Sequence, residues 1–185
     1  NLYTATLLAL EPKSGKIKWY RQEIPQDTWD FDAAYEALLV PHEGKQVLVH
    51  LNKSGFVFVM DKDNGNLKNV WQYAENMNWT KGIDPKTGAI AEMNRPEVGK
   101  QKLFCPNLLG ARSWNHGAYN PKTGLWYSTG MEVCNTVTGA KQGEVETING
   151  LSLGLSEINL VDPPGKKADG YLAAFDPFTA QVKWQ

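Results

Sequence analysis

Between Gln26 and Glu36 the chain reads QDTWDFDAAYE, and three carboxylates, Asp27, Asp30 and Asp32, crowd around two aromatic side chains, Trp29 and Phe31. In an extended segment alternate side chains share a face. Asp30 and Asp32 are therefore expected on one side and Trp29 and Phe31 on the other. Two carboxylates held side by side repel each other unless a proton or a cation lies between them. That pair is the first candidate for chemistry.

Other reactive residue types give weaker signals. His42, His50 and His116 are scattered, with no metal-ligand spacing to one another or to a carboxylate, and read as structural. Cys105 and Cys134 belong to no C-x-x-C motif, so thiolate metal binding is not expected. Two buried thiols or a disulfide both fit, and only the second implies an oxidising compartment. C-x-x-C-H and G-x-S-x-G are absent, which gives no support for a c-type haem or for serine hydrolysis in this stretch.

The elements that must position these residues are short strands. KQVLVHL, GFVFVMD, GLWYSTG and GYLAAFD are β-rich, and EPKSGK, DKDNGN, DPKTGA, NPKTGL and DPFTAQ separate such runs as turns. No long amphipathic helix is evident, although 27–38 and 145–160 are left for irregular or short helical structure. The 185 residues suffice for one domain, and the whole of 1–185 is expected to be a single partial domain. A formal net charge of −1 provides no basic face for nucleic acid. No apolar run of about 18 residues exists that would span a membrane. The opening NLYTATLLAL does not have the form of a signal peptide. Both ends read as cut, so an internal piece of a longer protein is expected.

One pattern recurs. Leu7–Trp19, Phe56–Trp71 and Leu172–Trp184 each run from an apolar strand through an acidic residue and a turn to a second strand ending in Trp. His116–Ser128 carries the strand–turn–strand part alone. The Asp, Glu or Asn before each turn can accept turn N–H groups, and Gly takes the left-handed position. Starts at intervals of roughly 50–60 residues suit four-stranded propeller blades with insertions. An all-β fold is expected, with about four blades in this chain.

The stretch ALEPKSGKIKW (Ala9–Trp19) resembles the tryptophan-docking motif of the quinoprotein alcohol dehydrogenases, with Glu11 in place of Asp. Asp61–Trp71 has one residue too many, and Ala174–Trp184 has Ala180 where the motif has Gly. Three further stretches follow in family order. DTWDFDAAYE resembles the segment that carries the catalytic aspartate. VHLNKSGFVFVMDKDNG resembles the one whose Lys or Arg reaches the quinone oxygens. CPNLLGARSWNHGAYNPKTGLWY resembles the one whose residue pair ending in Trp touches the cofactor. The resemblance covers essentially the whole chain. It implies an eight-bladed propeller that binds pyrroloquinoline quinone (PQQ) and a metal ion at its axis and oxidises a primary alcohol to an aldehyde.

Residue by residue, the resemblance makes Asp30 the base and a metal ligand, Lys53 the donor to the quinone oxygens, and Ser113 and Trp114 cofactor contacts. Ser113 stands where Asn is common, which shortens that donor. Asp32 matches a second Asp found in lanthanide-using relatives, where calcium-using ones have a small residue. A lanthanide is therefore expected, with calcium as the alternative, and a hard cation with oxygen ligands accounts for the paired carboxylates. The continuation AAYE departs from the family pattern and puts the substrate pocket in question. Arg112 is left either to a cofactor carboxylate or to a structural salt bridge. The resemblance further implies a Cys105–Cys134 disulfide, a periplasmic location, a small alcohol substrate and a c-type cytochrome acceptor, and it allows a homodimer. Two other readings stand beside it. One is a non-catalytic propeller scaffold of the outer-membrane assembly type, which has no need of Asp30, Lys53 and Trp114 together. The other is a PQQ sugar dehydrogenase, which lacks docking tryptophans such as Trp19, Trp71 and Trp184.

Overall fold

The computed structural model describes residues 2–145, 147–148 and 151–185. Among these, every regular element is a strand. In chain order they are β1 (Thr6–Leu10), β2 (Ile17–Gln22), β3 (Ala37–His42), β4 (Lys45–Leu51), β5 (Phe56–Asp61) and β6 (Leu67–Gln72). Next come β7 (Gly82–Ile83), β8 (Ile90–Ala91), β9 (Gln101–Phe104), β10 (Ala118–Asn120), β11 (Leu125–Glu132) and β12 (Cys134–Gly139). The last five are β13 (Thr147–Ile148), β14 (Leu151–Ser152), β15 (Leu155–Val161), β16 (Asp169–Phe175) and β17 (Val182–Trp184).

Antiparallel sheets of order β3-β4-β5-β6 and β10-β11-β16-β17 form two four-stranded blades. The hairpin β1-β2 stands before them. The repeat units at His116 and Leu172 therefore supply strands to one sheet rather than starting a blade each. Their separation comes from an insertion between β11 and β16, whose β12 is the middle strand of a sheet of order β15-β12-β9. Cys105 follows β9 and Cys134 opens β12, and their sulfurs are bonded at 1.99 Å. Residues 155–161 are β15, not helix, and 146, 149 and 150 of the expected irregular stretch lie outside the described residues.

β5 shows why the blades stack. Its sequence FVFVMD is apolar on both faces, as a strand covered on both sides must be. Phe56, Phe58 and Met60 enter one core with Ile24, Trp29, Phe31 and Trp79. Val57 and Val59 face the other way, into a core with Val47, Val49, Trp126 and Phe175. Each such side chain contributes about 1.5–3 kcal/mol by leaving water, so neither blade face is stable uncovered.

The recurring tryptophans fasten one blade to the next. Trp19 on β2 donates its indole N–H to Lys62 O at 3.1 Å, in the β5–β6 turn. A Cβ on Gly65 of that turn would lie 2.5 Å from the Trp19 ring, so only glycine leaves room. Trp71 on β6 likewise donates to Pro177 O at 2.9 Å, in the β16–β17 turn. The turns are built as expected from the sequence. Asp61 Oδ1 accepts the Asp63 N–H at 2.9 Å, and Asp176 Oδ1 the Phe178 N–H at 2.8 Å. Gly65 has φ +71°, and Ala180 holds the matching position at φ +65°.

Candidate active site

The site begins at the β4–β5 turn, Asn52-Lys53-Ser54-Gly55. Asn52 Oδ1 accepts the Ser54 N–H at 2.8 Å, and the Asn52 N–H donates to Phe56 O at 2.9 Å. Below the turn, Asn52 Nδ2 donates to Glu23 Oε2 at 2.7 Å. Glu23 also holds His50 Nδ1, at 3.0 and 2.9 Å from its two oxygens. Burial works against the His50 imidazolium, but the Glu23 carboxylate outweighs it and holds the ring above its ordinary value. His50 is thus a buried partner of Glu23, in line with its structural reading. His42 stacks on Phe178 and His116 contacts Glu36.

Lys53 leaves this turn toward the acidic stretch. Its stem runs under Gly110, where a Cβ would come within 2.4 Å of Lys53 Cγ. Its ammonium lies 3.2 Å from Asp30 Oδ2 and 2.8 Å from Asp32 Oδ1. The Lys53 side chain is 9% exposed, against 51% for Asp30 and 70% for Asp32. One buried cation thus joins two carboxylates that face outward. The extended geometry expected for this stretch is not what brings them together. Residues 27–36 form neither strand nor helix, and Asp30 sits at φ +69°, which breaks any simple alternation. What survives is the burial pattern: the Trp29 and Phe31 rings stack at 5.8 Å inside the core. Burial raises the Asp30 carboxyl above its usual range, Lys53 pulls it back down, and the neighbouring Asp32 charge raises it. Burial likewise raises Asp27, whose Oδ1 caps the Trp29 N–H at 2.9 Å.

The third segment runs from Gly110 to Gly117. The Ala111 N–H donates to Lys53 O at 2.9 Å, which ties it to the lysine turn. Arg112, fully buried, places Nη2 2.6 and 2.7 Å from the two Glu36 oxygens. Of the two roles left open for Arg112, the structure shows the salt bridge. The same guanidinium donates to Asn115 O from Nη2 at 2.8 Å and from Nε at 3.2 Å. Glu36 also accepts the Gly117 N–H at 2.8 Å. Burial opposes its ionisation, but the Gly117 N–H and Arg112 outweigh it and hold Glu36 below the usual range. Ser113, half-buried, and Trp114, 76% exposed, lie at the tip of this loop.

Beside Asp30 opens a cavity of about 280 Å³. Its walls are mixed: Trp29, Phe104, Val137 and Ile158 are apolar, and Asp27, Asp30 and Asn135 are polar. A carboxylate among mixed polar and apolar walls can take a small molecule that carries a hydroxyl and a hydrocarbon part.

The residues present fit a quinone and a cation in part. Lys53 can donate to an electron-rich oxygen, Trp114 offers an exposed aromatic face, and Asp30 and Asp32 present hard oxygen donors to solvent. Among the described residues no cluster of three or more His, Cys, Asp or Glu could enclose a metal, so the two aspartates supply only part of a coordination sphere. Sequence reasoning found Asp30, Asp32 and Lys53, which the structure joins directly, and Ser113 and Trp114, which it ties to them through Gly110–Arg112. It missed Glu36 and Tyr35. Their signal was slight: a carboxylate and a phenol close behind the aspartates, with an Arg immediately before Ser113.

Residues 1–77 match the PQQ family described as "Glucose/ethanol/alcohol dehydrogenase, beta-propeller domain". The whole chain is 30% identical to quinoprotein alcohol dehydrogenase PedE of Pseudomonas putida and covers 31% of it. Among solved structures, the quinohemoprotein alcohol dehydrogenase of Comamonas testosteroni superposes with a TM-score of 0.84 at 30% identity, over 100% of this chain and 29% of that one. A europium-containing methanol dehydrogenase superposes with a TM-score of 0.83 at 26% identity, over 98% of this chain and 32% of that one. The chain thus spans about a third of the length of the relatives it matches.

Proposed function

We propose that this chain, a propeller segment homologous along its length to the quinoprotein alcohol dehydrogenases, carries the base, part of the metal site and part of the quinone site for oxidation of a primary alcohol to an aldehyde. The observation that carries the reading is the buried Lys53 ammonium between Asp30 and Asp32. When bound, PQQ supplies the acceptor for the substrate's hydride, and the metal polarises its carbonyl as a Lewis acid. Asp30 takes the hydroxyl proton. Asp30 is among the residues that line the cavity, and the role requires a substrate hydroxyl within about 3 Å of its carboxylate. Lys53 favours the ionised form of Asp30 and can donate to a quinone oxygen as negative charge grows there. Trp114 offers a face for the flat cofactor, and Ser113 a short donor beside it.

A lanthanide is the proposed metal, with calcium as the alternative. Asp30 and Asp32 place two carboxylates at one point, and the Coulomb gain from each added anion grows with cation charge. The europium-containing relative is consistent with that choice. The Cys105–Cys134 bond suits an oxidising compartment such as the bacterial periplasm. There a c-type cytochrome is the proposed acceptor of electrons from the reduced cofactor.

The test is Asp30→Asn in the full-length enzyme. The amide keeps the shape and loses the basic oxygen, so turnover is expected to fall by on the order of 10²–10⁴. Wild-type turnover by a variant shown to hold PQQ and metal normally would overturn the assignment.

A further inference from the structure

We infer that Glu36 and Arg112 are positioning residues that lock the Ser113–Trp114 loop to the segment bearing Asp30 and Asp32, so that the aromatic and carboxylate halves of the site move as one unit. What the loop is positioned toward rests on the functional reading above; the locking itself rests on geometry alone.

Trp114 contributes little burial to its own loop, being mostly exposed. Within this segment, something other than packing must place it. The guanidinium of Arg112 provides that hold. It grips Asn115 O with two donors and so closes residues 112–115 around the Ser113–Trp114 tip. Glu36 then fixes the guanidinium, and it reaches past the loop to the Gly117 N–H at 2.8 Å and His116 Nδ1 at 3.0 Å. Tyr35 adds a second strap. Its hydroxyl donates to Arg112 O at 3.2 Å, and its ring lies 5.0 Å from the guanidinium carbon. At the other end, the Ala111 N–H on Lys53 O and the tight contact of Gly110 with the Lys53 stem anchor the loop to the lysine turn.

Glu36 follows Asp32 by only four residues, in the same irregular segment. With no strand hydrogen bonds of its own, that segment depends on such cross-links for a fixed shape. An exposed ion pair would count for little. This one is different, because removing Glu36 leaves the Arg112 charge buried and unpaired. The outcome least costly to the protein is for the 112–117 loop to open and let the guanidinium reach water. A displacement of about 1 Å at a reacting centre can cost about a hundredfold in rate.

The experiment compares full-length wild type with Glu36→Gln, which keeps the side-chain shape and removes the charge. Hydrogen exchange of the 112–117 amides in the PQQ- and metal-free protein is expected to speed by about tenfold, while the β4 and β5 amides hold their rates. The PQQ dissociation constant, measured by titration, is expected to rise by about tenfold. In an Arg112→Met background the same Glu36→Gln change is expected to add less than about twofold, because it acts through the arginine. If Glu36→Gln does not fold, Tyr35→Phe takes its place, since it removes only the bond to Arg112 O and speeds the same amides less. Unchanged exchange at 112–117 would overturn the inference, as would a fall in melting temperature with unaltered PQQ affinity. A wild type that binds no PQQ would instead overturn the functional reading, and the exchange comparison would still decide the locking.

Discussion

Asp30 is pulled in two directions: burial raises its carboxyl, and the Lys53 ammonium 3.2 Å away lowers it. The net shift is upward. A base works only when ionised, and a bound cation would further favour that form, so kcat/KM is expected to be full at neutral pH and to fall as pH drops into the carboxylate range. Lys53→Met removes the downward pull, so the acid limb of the pH–rate profile is expected to move to higher pH. A limb that stays in place or moves to lower pH would show that Lys53 does not hold the charge of Asp30. Asp30 and Asp32 stood out in the sequence because two aspartates so close together demand a counter-charge. The identity of that charge in this structure was not legible. Lys53 lies more than 20 residues from the pair, and only the fold places it between them.

At the scale of single elements, the hairpin turns were the most readable feature. An acidic residue accepting turn N–H groups and a glycine with positive φ are both local requirements. The one turn that breaks the pattern gives a direct test. Ala180 occupies φ +65°, where a Cβ costs about 1–2 kcal/mol and glycine costs little. Ala180→Gly is expected to raise the stability of the full-length protein by up to about 1 kcal/mol, read as a higher midpoint in denaturant. A lower midpoint would mean that the turn does not carry the strain its backbone implies. The 27–36 segment was the least readable. Its irregular character was expected, but not its path: Asp30 adopts φ +69° and the segment is held by contacts from elsewhere. Trp29 donates to Asn94 O at 2.9 Å, and Glu36 pairs with Arg112, both long-range in sequence. No local propensity reports such partners.

Across the whole molecule, the tryptophan repeat gave the architecture but overstated the count of blades. Trp19 and Trp71 each dock on a turn of the following sheet, as a ring of stacked blades requires. The unit at His116 has the same strand–turn–strand form, but β10-β11 pairs with β16-β17, and the inserted β12 and β15 separate them in sequence. Which strands share a sheet is decided by long-range pairing, which a repeat read along the chain does not contain. The Asp30–Lys53–Asp32 group draws on this larger frame, since it joins the irregular segment before β3 to the turn between β4 and β5. Its proposed role is to hold a highly charged cation against a quinone, and reconstitution tests that most directly. Full-length apo-enzyme and its Asp32→Ala variant are loaded with PQQ and either a lanthanide or calcium, and primary-alcohol oxidation is measured. The wild type is expected to be more active with the lanthanide, and Asp32→Ala to lose most of that activity while its calcium activity changes less. Equal wild-type activity with the two ions, or full lanthanide activity in Asp32→Ala, would contradict the role given to the paired carboxylates.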